Sequence, residues 1–284
     1  MLCILSNNHV LARSGRATLG EDTLQPGLVD SGCSPTGNIV GDFAGNFVPL
    51  GTANVDAALA TARGNVDASG AILDVGVPRN TPQTATVGMP VMKSGRTTGF
   101  TTGNITSIHT SVTVQYMRGC GVGRPFNISY ANQLVTGAMS AGGDSGSLLL
   151  SNDGSPNPVG LLFAGSSSTT VYNPIQDVIN AFRAGGHTFS FVGSAALTAD
   201  DAGNKIQRGP APEDLELALQ AKVENEAGLF RDPGVLGVGV GPTADNPFEA
   251  AIVVYFDRSQ VANIPPRIDG FRTRVILTDP IVAH

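Results

Sequence analysis

The stretch Gly142-Gly143-Asp144-Ser145-Gly146-Ser147, followed by Leu148-Leu149-Leu150, decides how the rest of the chain reads. It is a tight glycine turn that presents one hydroxyl and then runs into an apolar strand. The residues flanking Ser145 are small, so another backbone can approach its oxygen. Glycine also adopts backbone angles that other residues resist. A turn of this kind can aim the amide N–H groups of Gly143 and Ser145 at one point beside the hydroxyl. Acyl transfer needs such a pair of donors, because negative charge develops there. A Gly/Ser surface loop without chemistry is the alternative, and the turn alone does not decide between them.

A serine hydroxyl is a weak nucleophile until a base takes its proton and a third group orients that base. The chain has only four histidines, which shortens the search. His9 sits at the end of an apolar run, in Leu5-Ser6-Asn7-Asn8-His9-Val10-Leu11. Asp56 sits at a polar-to-apolar transition, in Asn54-Val55-Asp56-Ala57-Ala58-Leu59-Ala60. The chain order is His, Asp, Ser. Each separation leaves room for about half of a small β-barrel.

Taken together, these segments resemble the trypsin/chymotrypsin-like serine peptidases, in the bacterial branch that includes alpha-lytic protease and the streptogrisins. The matches are His9 after a strand, Asn54 to Leu59 around Asp56, and the turn from Gly142 to Ser147. A fourth is the glycine-punctuated Lys93-Ser94-Gly95-Arg96-Thr97-Thr98-Gly99-Phe100-Thr101-Thr102-Gly103-Asn104-Ile105, which resembles the start of the second barrel. The resemblance covers residues 2–183. It implies a mainly β, chymotrypsin-like double barrel. It also implies Ser145 as nucleophile, His9 as base, Asp56 as orienting group, and an oxyanion hole from Gly143 and Ser145. By the same resemblance Phe163, Ala164 and Gly165 form the pocket wall and the strand that pairs with substrate. The pocket base falls at residues 137–140, where the absence of Asp argues against a basic preference and Met139 suggests an apolar one. Asp144 corresponds to a turn carboxylate that supports the hole through a buried partner.

Composition narrows the remaining classes. With 41% hydrophobic residues, 36 glycines and no tryptophan, the chain suits many short strands joined by turns. A net charge of −6 without a basic run argues against a nucleic-acid partner. No apolar stretch approaches the ~20 residues of a membrane helix. Cys3, Cys33 and Cys120 form no C-x-x-C, so neither zinc nor a full disulfide framework is indicated; one bridge is possible, with its pairing open. Relatives carry a disulfide across the hairpin at 93–105, where this chain has Phe100 and Thr102. Secretion is possible by resemblance, but residues 1–6 lack the charged start and cleavage site of a signal peptide.

The organisation expected is a peptidase domain at 1–198, with barrel one at about 1–75 and barrel two at about 84–192. A linker at 199–212 and a small α+β accessory domain at 213–284 follow. Only eight residues precede His9, whereas the family places further strands there. Barrel one is therefore expected to be N-terminally incomplete, the chain being a fragment or starting at an internal methionine. Asp22, Asp30 and Asp42 read as solvated turn residues without calcium-loop spacing. Ile175, Val178, Ile179 and Phe182 mark one face of a helix, and residues 189–192 suggest a last strand. In the accessory domain, Leu215, Leu219, Val223 and Ala227 are spaced for a buried helical stripe. Strands are expected at 235–240, 250–256 and 273–277. Gly237-Val238-Gly239-Val240-Gly241 is not a nucleotide loop, since no helix follows it; it reads as a strand packed closely against the helix. A regulatory or substrate-presenting role is the expectation for this domain. His109, His187 and His284 have no evident partners and read as surface or structural.

The function this supports is peptide-bond hydrolysis on a polypeptide substrate, through an acyl-enzyme and without cofactor or metal. Activity should rise as His9 loses its proton, near its ordinary value of about 6.5 or somewhat above. Two other readings compete: a binding or scaffold protein on the peptidase fold, silenced by the short N-terminus, and an esterase using the same three residues.

Overall fold

The computed structural model describes residues 1–120, 123–193 and 208–284. The expected linker at 199–212 lies, as far as residue 207, outside them. Two sheets organise the chain. The first has four strands: β1 (Cys3–Ser6), β2 (Asp22–Gln25), β3 (Asn38–Phe47) and β4 (Ala58–Ala62), in spatial order β1-β4-β3-β2. Among the described residues it is open, with β1 and β2 each paired on one edge. The second contains a closed ring: β6 (Gly99–Met117), β5 (Pro90–Gly95), β8 (Leu148–Ser151), β9 (Pro158–Gly165), β10 (Thr169–Pro174) and β7 (Pro125–Gly137), with β7 pairing back onto β6. Closure removes the free edges that a sheet would otherwise expose. The arrangement is the mainly β, double-sheet architecture expected, with the first barrel incomplete.

Alternation explains the ring. Along β6, Ile105, Ser107 and, after irregularities in register, Val112, Val114 and Tyr116 turn inward. They meet β9, whose eight residues are all buried. The helix α2 (Ile175–Ala184) lays Ile175, Val178 and Phe182 against Val48, Val55 and Leu161, which joins the two sheets in one apolar cluster. Residues 189–192 do not form the expected strand. Phe189 and Phe191 instead stack edge-on beside Phe182 and cap that cluster.

Asp22, Asp30 and Asp42 are not free turn residues. Asp22 and Asp42 lie opposite each other on β2 and β3 and share Arg63, while Asp30 pairs with Arg96. Two of the cysteines, Cys33 and Cys120, form a disulfide that ties a loop of the first sheet to the end of β6; Cys3 is free.

After residue 207 come α3 (Pro212–Leu229), β11 (Val235–Pro242), β12 (Ala250–Asp257), β13 (Arg267–Ile268), β14 (Phe271–Thr278) and β15 (Val282–Ala283). None of the described helices is long and apolar enough to cross a membrane. The stripe on α3 differs from that expected: Ala218, Ala221 and Lys222 are buried, whereas Val223 is exposed. Ala218 and Ala221 meet the sheet, and Leu215 and Leu219 of the expected stripe pack partly buried beside Ala218. Lys222 is tolerated there because its ammonium meets Glu226 at 2.5 Å and the Ser111 hydroxyl at 2.8 Å.

β11 continues the second sheet by pairing antiparallel with β6. Its valines, Val238 and Val240, face α3. Its glycines turn the other way, onto the ring rather than onto the helix. A Cβ on Gly237 would meet the Ser111 carbonyl at 3.0 Å, and one on Gly239 would strike the Thr110 side chain. This close approach explains the Gly-Val-Gly-Val-Gly alternation. Gly239→Val should wedge β11 from β6 and lower the Tm by roughly 3–10 °C, in keeping with the cost of overpacking. An unchanged thermal unfolding curve would show that the two strands are not tightly docked.

Candidate active site

His9 lies on a short helical turn, α1 (Asn8–Leu11), directly after β1. Two asparagines hold that turn in place: Asn7 donates to the Asp56 carbonyl (2.8 Å) and Asn8 to the Val48 carbonyl (2.7 Å). Asp56 precedes β4, and its amide donates to Asn173 Oδ1 (2.9 Å). Ser145 lies in the turn between β7 and β8. The two sheets thus bring together three side chains that are far apart in sequence. His9 Nδ1 is 2.6 Å from Asp56 Oδ2, and His9 Nε2 is 2.9 Å from Ser145 Oγ.

The Asp56 carboxylate is fully buried, so its charge must be met by donors. The His9 amide (3.2 Å), the His9 ring (2.6 Å) and the Tyr116 hydroxyl (2.8 Å) supply them. Tyr116 is backed by Tyr130 at 2.7 Å between hydroxyl oxygens. Both phenols are buried and held well above their ordinary titration range, first by loss of solvent and then by the Asp56 charge. They therefore stay neutral donors. Burial alone would lower the His9 pKa. The Asp56 charge, its hydrogen bond and the carbonyl of His284 outweigh that and raise the imidazole above 6.5.

The turn itself depends on two glycines with positive φ, Gly143 (+99°) and Gly146 (+88°). A Cβ at position 143 would meet Thr97 Oγ1 at 2.6 Å, and one at 146 would collide with Ser6. Within the turn the Asp144 amide donates to Ala141 and the Gly146 amide to Leu162. The amides of Gly143 and Ser145 have no partner among the described residues. Asp144 points away from Ser145 into the protein. It accepts from the amides of Thr97 (2.6 Å) and Ala141 (3.1 Å) and from the Thr98 hydroxyl (2.6 Å). Burial pushes this carboxyl upward, but those hydrogen bonds prevail and hold it below the usual range. Its counter-charge is Lys93, fully buried at 3.2 Å. Lys93 opens the glycine-punctuated stretch, yet nothing in the sequence marks its ammonium as the partner of Asp144.

The expected pocket residues separate. Phe163 contributes its backbone, while its ring is buried against Tyr130 at 5.0 Å. Ala164 and Gly165 form an edge of β9. Met139 turns into the core of the ring, where Tyr172 donates to its sulfur and Gly103 packs against it. Ser140 is the neighbour that faces the cleft.

A segment of the chain itself occupies the β9 edge. Val282 pairs with Gly165 and Ala283 with Ala164, antiparallel, and the His284 amide donates to the Phe163 carbonyl at 3.2 Å. The His284 carbonyl accepts from Ser145 Oγ and stands 3.0 Å from His9 Nε2. His284 is therefore not a surface residue. Of the other two histidines read as partnerless, the exposed His109 bonds Asn132 at 2.7 Å, and His187 is exposed away from the site.

No model of a known protein family matches the chain, and no curated protein matches it in sequence. Among solved structures it is similar to a glutamic acid-specific serine protease described as using a histidine triad in substrate binding, with 22% identity, a TM-score of 0.44, and 64% of this chain and 84% of that one covered. It is similar to the chymotrypsin of Cellulomonas bogoriensis (22%, TM-score 0.42, 63% and 82%) and to protease A of Thermobifida fusca (21%, 0.41, 63% and 81%). These three are bacterial trypsin/chymotrypsin-like serine proteases, at low identity to this chain.

Proposed function

We propose that the chain is a serine endopeptidase whose catalytic unit is residues 1–198, with 213–284 as an accessory layer. The reading is supported above all by an extended peptide strand on the β9 edge that puts a backbone carbonyl within reach of Ser145. Ser145 Oγ attacks the carbonyl carbon of the substrate while His9 Nε2 takes the hydroxyl proton. The same nitrogen returns that proton to the leaving amine, and water then releases the acyl group by the reverse roles. Asp56 fixes the tautomer of His9 and stabilises the imidazolium. The amides of Gly143 and Ser145 hold the oxyanion, and the Asp144–Lys93 pair keeps their turn rigid. A strand-shaped binding edge favours peptides over simple esters, which make no ladder hydrogen bonds. The 2.9 Å approach of Ser145 Oγ to His9 Nε2 favours a catalyst over a scaffold.

A serine-directed fluorophosphonate should label Ser145, and Ser145→Ala should abolish both labelling and peptide hydrolysis. Labelling at another serine, or none in any variant, would overturn the reading. Asp56→Asn should lower kcat by about 10⁴-fold, since the imidazole would take the wrong tautomer.

The base acts when neutral, so activity belongs to the pH range above the His9 pKa and disappears below it. Because that pKa is raised in the fold, the acid limb of kcat/KM should lie above pH 6.5. Tyr116→Phe should reduce kcat about 3- to 10-fold with little change in KM, the loss of one hydrogen bond to a charged group. It should also move the acid limb upward, because Asp56 then attracts the imidazolium more strongly. A pH profile unmoved by this substitution would assign Tyr116 to packing alone.

A further inference from the structure

The proposal below rests on the peptidase reading and concerns what the cleft selects. The seated segment meets the cleft at Ser140, Ser145, Phe163, Ala164 and Gly165. Its ladder runs along β9, with Val282 opposite Gly165 and Ala283 opposite Ala164. The fit of the His284 side chain is more specific. Its Nδ1 is 3.1 Å from Ser140 Oγ, and Ser140 Oγ is 2.9 Å from the Thr170 hydroxyl. Thr170 is fully buried and accepts the Met139 amide at 2.9 Å. A hydroxyl oxygen carries two lone pairs, so Thr170 accepts from Met139 and either hydroxyl can donate in its bond with Ser140. When Thr170 donates, the Ser140 proton is available to an unprotonated Nδ1 of the imidazole. On the other side of the ring, Nε2 and Cε1 press on Gly165: a Cβ there would meet Cε1 at 2.6 Å and Nε2 at 3.0 Å. The Gly165 backbone lies against the ring and by itself favours its protonated form.

We propose that this cleft selects histidine as the residue preceding the cleaved bond, and that Val282-Ala283-His284 is its intramolecular ligand. The pocket places the Ser140 hydroxyl on one side and the Gly165 backbone on the other side of a flat five-membered ring. Neutral imidazole satisfies both at once. Alanine leaves the Ser140 chain of donors without an acceptor, and phenylalanine cannot accept from it. Glutamate would bring an unpaired charge, because the nearby Lys93 is already engaged by Asp144. The environment also favours the neutral ring. Burial lowers the His284 pKa, Asp144 and the Gly165 bond oppose this, and His9 and Lys93 add to the lowering. The occupied cleft accordingly has its nucleophile covered, so the accessory layer inhibits the site it is attached to.

The test uses the whole chain, a variant lacking residues 282–284, and His284→Ala in the whole chain as a second release variant. Ile281 is kept because it is buried in the core shared by the ring and the C-terminal strands. Fluorophosphonate labelling of Ser145 should be at least about tenfold faster in both release variants, as expected when hydrogen-bonded contacts that hold the segment are removed. The shortened variant should cleave acetyl-Ile-Val-Ala-His-aminomethylcoumarin with a kcat/KM at least about tenfold above the Ala, Phe and Glu analogues, and Ser140→Ala should erase that margin. Equal labelling in all forms, or turnover without a histidine preference, would overturn the inference while leaving the peptidase reading standing. If nothing turns over, the peptidase reading falls and binding decides the inference. Acetyl-Ile-Val-Ala-His should then bind the shortened Ser145→Ala variant in calorimetry more tightly than acetyl-Ile-Val-Ala-Ala. Equal or absent binding overturns it.

Discussion

A single buried carboxylate joins the halves of this protein. Asp56 has no contact with solvent, so its charge can persist only if donors from several elements converge on it. One donor comes from α1 at the start of the chain and another from Tyr116 at the end of β6, while its own amide is held by Asn173 ahead of α2. The open first sheet and the closed ring are therefore fixed to each other at the point where the imidazole must be oriented. Removing Asp56 would change the chemistry and loosen the interface together. The first sheet lacks a ring of its own, and its position depends on these polar contacts and on the apolar cluster that α2 completes beside them.

The second buried acid, Asp144, applies the same logic to the turn that carries Ser145. Glycine angles let the chain double back at 143 and 146, but such turns are mobile unless something anchors them. Asp144 anchors this one by collecting two amides of the β5–β6 turn, a hydroxyl and the Lys93 ammonium. A carboxylate with that many donors keeps its proton off even without water. The Asp144 amide bonds Ala141 within the turn and the Gly146 amide bonds Leu162 on β9, whereas the Gly143 and Ser145 amides have no partner among the described residues.

The C-terminal strands do more than append a layer. β11 extends the second sheet from β6, Tyr255 reaches the Ser107 hydroxyl, and Ile281 packs into the core shared with Tyr116 and Phe163. That anchoring delivers residues 282–284 to β9 on a short, fixed tether. A tethered segment meets its site at a high effective concentration, so modest contacts suffice to keep it seated. Core packing, cleft occupancy and the orientation of Ser145 are in this way parts of one assembly.

The residues that bear chemistry were legible because each carries a local signature: glycines around Ser145, a strand before His9, small apolar residues after Asp56. The strand pattern of the ring, the α2 face and the positions of β11, β12 and β14 were legible for the same reason, since side-chain period reports burial. Partnerships between distant residues have no such trace. Nothing near Lys93 says it will be dry, nothing near Tyr116 says its hydroxyl will meet Asp56, and Met139 reads as a pocket residue until the strand turns it inward. The alternation on β11 marked close packing, yet which face lay against the ring depended on register with β6. On α3 the larger side chains suggested the buried stripe, whereas Ala218 and Ala221 meet the sheet. His284 shows the limit best. The sequence by itself singled out Asp56, His9 and Ser145, and their order along the chain. Only the tertiary structure decided that a fourth residue, at the far end of the chain, lies among them, because β-sheet pairing joins segments by hydrogen bonds between backbones, which every residue possesses and no sequence pattern reserves.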